Sequence, residues 1–226
     1  MVLPVVALRG ITVLPDMIVH FDVTREKSVQ AIEYAMNNNQ KVFLVAQRDS
    51  QMDDPEVKDL YVVGVIAEIK QVLKLPSKVL RVMAEGVERA KLLELDTKQE
   101  YLTGQLVEYP ESKESYTSQE EEAMLRTLKE LFEQYGTLHP KIKKDSVQRL
   151  TDTSDIYQLS HQIMVNLPVD YKEKQEAYGT SPAAADTGSI ALEILNIPDS
   201  VLEELLELTE PMMQLVDFLN NNRNPD

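Results

Sequence analysis

Apolar and polar residues alternate along the first half of the chain with the two-residue period of a β-strand. The clearest case is the segment 17–23, whose odd-numbered positions form one apolar face: Met17, Val19, Phe21 and Val23. A short β-branched run, Val5–Leu8, precedes it. Leu14-Pro15-Asp16 between them is a turn signal, because proline presets φ and aspartate can bond its own backbone. The pattern predicts that the chain begins with strand, loop and strand.

At Thr24 the period changes to that of a helix, and we predict Thr24 as the N-cap of a helix over about 25–37. Three asparagines, 37–39, end it, since asparagine tolerates left-handed terminal geometry. We predict further strands, with a bulge near Lys70–Gln71 and a turn at Gly86, over residues 41–47, 60–75, 79–84, 87–95 and 101–109. Six or more strands with one early helix predict a compact, partly closed barrel.

At Pro110 the pattern changes again. Residues 111–117 are polar and acidic, which predicts a linker. Ser118 is the predicted cap of an amphipathic helix that runs to Tyr135 and is ended by Gly136. Shorter helices are predicted near 142–150, over 153–166 and from Tyr171. The domain prediction is a β-rich, barrel-like lobe over 1–110, the acidic linker, and a helical bundle over 118–226.

Composition and charge limit the classes of partner that this chain can bind. Of the formal net charge of −15, residues 1–109 carry only −3, with 13 Lys and Arg against 16 Asp and Glu, so the second part of the chain is strongly acidic. Neither part has the basic stripe that displaces counterions from phosphates, which argues against nucleic acid and anionic membrane as partners. The chain has no cysteine, no apolar run long enough to span a bilayer and no leader pattern. We expect a cytoplasmic protein.

Several blocks, in order, resemble one known family. The runs LPVVALRGITVLPDM and FDVTREKSVQAIEYAM, followed by KVFLVAQRD, VGVIAEIKQVLKLP and VLRVMAEGVERAK, are similar to the amino-terminal domain of the ATP-dependent protease Lon. In the second part LFEQYGTLHPKI, IYQLSHQIMVNLPV and YKEKQE continue the resemblance. It fails after Glu176, where a low-complexity run of small residues, 177–189, predicts a flexible linker and an insertion near 177–205. The resemblance implies an α+β fold, a small mixed β-barrel-like (PUA-like pseudobarrel) lobe followed by an α-helical bundle.

The resemblance also implies a function of binding rather than catalysis. A Lon ATPase requires a P-loop ending in Gly-Lys, and this chain has no Gly-Lys pair. Ser77-Lys78 is an adjacent pair in a predicted exposed turn, which is a poor nucleophile and base. The implied role is recognition of unfolded or damaged protein clients, within a hexamer of copies, for delivery to an ATPase ring. ATP and magnesium would belong to the full-length parent, and no cofactor or metal is expected in this chain. The alternative is a free-standing Lon-domain ligand- or protein-binding module with no attached protease.

Six residues around the first loop and helix start are our candidates for contacting clients: Arg9, Pro15, Met17, Arg25, Glu26 and Lys27. The sharpest cluster is Arg25-Glu26-Lys27, for which two interpretations stay open. It is either an ordinary first helical turn, in which Glu26 complements the helix dipole, or an exposed contact for client chains or a neighbouring subunit.

Overall fold

The computed structural model describes residues 1–76, 79–109, 118–138, 152–166 and 170–179, and the single positions 147 and 150. The chain divides into two compact units, Met1–Glu111 and Ser112–Asp226. Several predicted features lie outside the described residues: the Ser77-Lys78 turn, the acidic linker, the helix near 142–150 except for positions 147 and 150, and the insertion from residue 180 onward.

The first unit is dominated by a mixed sheet. Its elements, in chain order, are β1 (Val2–Leu8), β2 (Ile18–Val23), α1 (Glu26–Asn37), β3 (Lys41–Ala46), a short 3-10 helix (Val57–Asp59), β4 (Val63–Lys74), β5 (Leu80–Asp96) and β6 (Thr103–Glu108). The prediction of a strand-rich lobe with one early helix is confirmed. That the lobe is barrel-like stays a prediction.

The six strands lie in the order β2-β5-β4-β3-β1-β6, and an additional β5–β6 pairing returns the sheet to β5. Only the β1–β3 pair is parallel; the other pairs in this unit are antiparallel. Strand β5 serves two partners along one side, with residues 80–85 pairing with β2 and residues 90–96 with β6. The outer edge of β2 therefore has no strand partner among the described residues.

The sequence correctly predicts one irregularity and misinterprets another. A register shift between Ile69 and Gln71 confirms the bulge in β4. The predicted turn at Gly86 is wrong, because β5 runs through it without interruption. A Cβ at Gly86 would lie 2.2 Å from the carbonyl oxygen of Leu14. The glycine is needed because two backbones approach each other closely there. In a sequence, a glycine with this role cannot be distinguished from a glycine in a turn.

Two apolar cores lie on opposite faces of the strands. Alternate residues of β1 enter different cores, Val6 and Leu8 one of them and Val5 and Ala7 the other. The first core is completed by the inner face of α1, which contributes Ala31, Ile32 and Ala35. A strand that is buried on both faces loses the clean apolar and polar alternation, which explains why β1 reads as a short continuous apolar run.

The second unit contains three described helices, α2 (Ser118–Leu138), α3 (Ile156–Asn166) and α4 (Tyr171–Gly179). The side chain of Asp155 accepts a hydrogen bond of 2.8 Å from the Gln158 backbone, which caps α3. Two predicted boundaries are wrong: α2 continues past Gly136, and α4 includes the first three residues of the predicted linker. Helix ends are the least determined part of a sequence pattern. That the helices form a bundle stays a prediction.

Candidate functional site

Four of the six candidate residues lie where β1 ends and α1 begins. Arg9 follows β1 directly, and Arg25 is the N-cap residue of α1, so the prediction that Thr24 caps this helix is wrong by one position. Glu26 and Lys27 are in the first turn. Glu26 is exposed and accepts a hydrogen bond of 3.2 Å from Nε2 of Gln30 one turn later.

The Arg25 guanidinium joins three separate segments. Its Nη2 donates to the carbonyl oxygen of Ala7 in β1. Its Nη1 donates to Oε1 of Gln47 at 2.8 Å and to the carbonyl oxygen of Asp53 at 3.3 Å. A charged donor shared by backbone and side-chain oxygens in a partly buried place forms strong bonds. Arg25 therefore fastens the start of α1 to β1, to the residue after β3 and to the loop that follows.

Gln47 is the residue of this network that sequence reasoning missed. It has no exposed surface, and its Nε2 donates to the carbonyl oxygens of Asp49 at 3.1 Å and Met52 at 3.0 Å. Both ends of its amide are thus bonded, as a buried amide requires. The available signal was a polar residue at the end of the apolar run 42–46, immediately before a polar loop.

Two ion pairs attach the same loop from outside. Arg9 lies 2.6 Å from Asp53 and donates to the carbonyl oxygen of Met52 at 3.2 Å. Lys27 lies 3.1 Å from Asp54. Since the Asp53 and Asp54 side chains are 93% and 78% exposed, each pair adds little stability. Together they place two acidic residues beside the cationic start of α1.

The expectation that Arg25 is exposed is wrong. Its side chain is half-buried, and burial is the main cause that lowers its pKa, with Arg9 nearby acting in the same direction. Asp53 and Asp54 oppose this decrease in pKa. Arginine stays protonated in proteins, so the group is a partly buried positive charge. Arg25 has a structural role whether or not it also contacts a client.

Pro15 and Met17 form a separate group. Their loop packs on β5 at Gly86, where the backbone of Asp16 donates to the Gly86 carbonyl and Gly86 donates to that of Met17, each at 2.9 Å. The Met17 side chain packs against the first core. The structure therefore does not bring Pro15 and Met17 into the network of Arg9 and Arg25.

A cavity of about 610 Å³ opens between the end of β1, the unpartnered edge of β2 and the start of α1. Its apolar wall is formed by buried side chains of both strands: Val6, Leu8, Phe21 and Val23. Of the six candidates, only Arg9 and Arg25 line it. Its volume lies within the range of about 300–1,000 Å³ of small-ligand sites. This cavity is the best candidate site in the described part of the first unit.

One rim of the cavity is an ion pair across two strands. Arg81 of β5 binds Asp22 of β2 through two hydrogen bonds of 2.8 Å each. The hydrogen bond from Arg81 is the main cause that lowers the pKa of Asp22, and the same bond raises the pKa of Arg81. Both residues line the cavity, as does the exposed His20. Two of the three arginines that line the cavity are thus paired with carboxylates, Arg81 with Asp22 and Arg9 with Asp53, and the hydrogen bonds of Arg25 go to neutral oxygens.

Within the described residues, no three or more His, Cys, Asp or Glu side chains are grouped so that they could hold a metal ion. The described helices include none long and apolar enough to cross a membrane.

Comparison with known proteins identifies the family to which this chain belongs. Residues 2–180 match the family model described as the ATP-dependent protease La (LON) substrate-binding domain. The chain belongs to this family of Lon substrate-binding domains, which confirms the resemblance seen in the sequence.

Particular relatives agree. The chain is 45% identical to a Lon protease of Lachnoclostridium phytofermentans over 173 residues, which are 76% of this chain and 21% of that protein. It is 34% identical to Lon protease 1 of Bacillus subtilis over 203 residues, which are 89% of this chain and 26% of that protein. The chain thus spans about a quarter or less of the length of these relatives.

Solved structures support the fold. The N-terminal domain of a Mycobacterium avium complex Lon protease matches with a TM-score of 0.60 at 20% identity, covering 88% of this chain and 97% of that one. A Lon N-terminal domain protein from Xanthomonas campestris matches with a TM-score of 0.55 at 12% identity, covering 80% and 92% of the two chains. At such identities the likeness concerns the fold alone.

Proposed function

We propose that this chain is the non-catalytic recognition domain of a cytoplasmic Lon-type serine protease that functions in ATP-dependent protein quality control. It binds unfolded or damaged polypeptides for delivery to an ATPase ring, and it supports assembly of a hexamer. Family membership supports a substrate-binding role, and the cavity beside β2 supplies a place for it. ATP, magnesium and the catalytic residues belong to the rest of the parent protein.

The architecture predicted from the sequence is part of this proposal. Residues 1–110 act as a barrel-like lobe and residues 118–226 as a helical bundle. The binding surface belongs to the first of these, where an extended segment can lie beside a strand that has a free edge.

The observation that carries the proposal is the combination of an apolar wall with a free strand edge at the cavity. Buried side chains of β1 and β2 form the wall, and β2 has no strand partner on that side within the described residues. An unfolded chain offers apolar side chains and unpaired backbone groups, so such a place can satisfy both. A hexamer can work with weak contacts, because six copies raise the local concentration of binding sites.

The test is an NMR titration of the 226-residue chain with a reduced, amidomethylated protein that cannot refold. We expect a Kd of about 10 μM to 1 mM, with shifts at residues 6–11 and 20–28. Replacing Ile11, which lines the cavity, with serine should weaken binding about threefold or more. The matched control is Ile18→Ser on β2, an isoleucine that is 60% exposed and lies outside the cavity.

Shifts confined to α2, α3 and α4 would move the site to the second unit. Equal weakening by the two isoleucine variants would show that the cavity has no special part in binding.

A further inference from the structure

One serine side chain at the start of α1 lines the cavity. Ser28, in the first turn of α1, is 4% exposed and lines the cavity. No hydrogen bond joins its side chain to any described residue. The Ser28 oxygen is not fully enclosed, so it reaches the cavity, where water or a ligand can bond to it. The place of Ser28 therefore marks a point where a polar group can bind.

The same point is the amino-terminal end of α1. The N-cap residue is Arg25, whose side chain has no acceptor oxygen, and no side-chain hydrogen bond caps the helix. The first-turn N–H groups of a helix have no acceptor within the helix, and the helix dipole makes this end favourable for an anion. In α1, a 12-residue helix, nothing in the cap side chain fills that role.

Charge around the cavity agrees with an anion. Of the three arginines that line it, Arg81 binds Asp22 and Arg9 binds Asp53. The hydrogen bonds of Arg25 go to neutral oxygens of Ala7, Gln47 and Asp53. Arg25 is therefore the arginine of this lining that has no carboxylate partner among the described residues, in a chain whose formal net charge is −15. Attraction of an anion here comes from the local groups and not from the protein as a whole.

We propose that the cavity binds a carboxylate of the polypeptide client, held by the Ser28 hydroxyl and the first turn of α1, with Arg9 and Arg25 beside it. The inference rests on the proposed function and adds the chemistry that is recognised. Two sources offer this group, the carboxylate at the end of a client chain and the side chain of an aspartate or glutamate within it. The apolar wall of the cavity holds the neighbouring residues of the client.

Three peptides of one apolar ten-residue sequence, acetylated at the amino end, separate these sources. One ends in a free carboxylate, one ends in an amide and carries no carboxylate, and one ends in an amide but has a single internal glutamate. Each is titrated into the 226-residue chain, with amide shifts of residues 26–28 and the Kd as readouts. We expect at least one carboxylate-bearing peptide to bind about tenfold tighter than the neutral peptide, which corresponds to about 1.4 kcal/mol.

Two variants test the site. Ser28→Ala removes the hydroxyl and keeps a strong helix former, so the fold is retained while the tenfold ratio falls to about threefold or less. Arg9→Gln, at an exposed position, should lower the ratio independently. The matched control is Thr103→Val, which removes a buried hydroxyl without a partner, on β6 and outside the cavity. It should leave the ratio unchanged.

The outcomes are distinct. If all three peptides bind equally, with shifts at the cavity, the carboxylate proposal is overturned and polypeptide binding stands. If no peptide binds, both are overturned. If the tenfold ratio survives in folded Ser28→Ala and in Arg9→Gln, the carboxylate binds elsewhere and the proposed site is wrong.

Discussion

Nη1 of Arg25 donates a hydrogen bond of 2.8 Å to Oε1 of Gln47, a side chain with no exposed surface. The pair joins the start of α1 to the residue that follows β3, two places that are 22 positions apart in the chain. Because Gln47 uses its other amide atom to hold the loop at Asp49 and Met52, the Arg25–Gln47 bond links the helix, the strand and the loop in one network.

The first prediction concerns this network. Arg25→Met leaves Oε1 of Gln47 and the Ala7 carbonyl oxygen without their donor in a partly buried place. We expect it to lower the free energy of unfolding of the first unit by about 2–4 kcal/mol. Urea denaturation measures this. The matched control is Lys27→Met two residues further on, whose ion pair with Asp54 is exposed, so a change within about 0.5 kcal/mol is expected.

An equal decrease in the free energy of unfolding in the two variants would contradict this. It would mean that the buried hydrogen bonds of Arg25 stabilise the fold no more than an exposed ion pair does. The result also matters for binding experiments. Charge reversal at Arg25 would destabilise the first unit, so Arg9 and Ser28 are better positions for testing client contact.

The second prediction concerns the close approach at Gly86. A methyl group there meets the Leu14 carbonyl oxygen at 2.2 Å and its carbon at 3.0 Å, both backbone atoms. Gly86→Ala should therefore push the 14–17 loop away from β5 and cost about 1–3 kcal/mol. Thermal or urea denaturation measures the loss, and amide shifts of Asp16 and Met17 report the displaced loop.

Val87→Ala is the control for that variant, since Val87 follows Gly86 in β5 and is 43% exposed. A truncation there should change stability by less than about 0.5 kcal/mol. Unchanged shifts of Asp16 and Met17 in a fully stable Gly86→Ala protein would contradict the contact.

The third prediction concerns acid pH. The hydrogen bond from Arg81 lowers the pKa of Asp22 below the ordinary value of 3.8. A carboxylate with a lowered folded-state pKa stabilises the fold above its unfolded-state pKa, and this stabilisation is lost as pH falls through the folded-state pKa. In Arg81→Met the pKa of Asp22 should rise toward its ordinary value, as carboxyl-carbon NMR titration can measure.

Asp96 is an internal control in the same titration. Its pKa is lowered mainly by the backbone N–H of Lys98 and then by the side chain of Gln99, so replacing Arg81 should leave it unchanged. If the pKa of Asp22 is the same with and without Arg81, the ion pair does not persist in solution.

The fourth prediction concerns activity. The chain has no Gly-Lys pair with which to hold nucleotide phosphates, so the purified chain should neither hydrolyse ATP nor cleave casein. Coupled-enzyme ATPase assays and gel-based digestion measure this. An ATPase rate that survives repurification and disappears on a point mutation in this chain would overturn the assignment of a recognition role without catalysis.

Much of the first unit could be predicted from the period of its apolar residues. The alternation in 17–23 corresponds to β2, and the phase shift near Lys70–Gln71 marks a real change of register in β4. Local patterns reveal such features because each depends on neighbouring residues. They gave no means to see that β5 runs through Gly86, because that depends on Leu14, far away in sequence.

The candidate site shows the same division. The cluster Arg25-Glu26-Lys27 was visible as charge at a helix start, but the burial of Arg25 depends on Ala7 and Gln47, which only the folded sheet brings near. Ser28 carried no signal, since one serine in a first turn is ordinary. Its interest arises from a cavity that two strands and a helix form together.

The pairing of β1 with β6 affects folding while the chain is being synthesised. Val2 of β1 pairs with Gln105 of β6. This pairing can form only after β6 has emerged from the ribosome. At about 5–20 residues per second, the apolar segment Val2–Leu8 stays without that partner for about 5–20 s. During this interval it can pair with other nascent chains. A domain that we propose to bind unfolded polypeptides is thus itself incompletely folded during synthesis. A chain truncated before β6 would keep the segment Val2–Leu8 without its β6 partner.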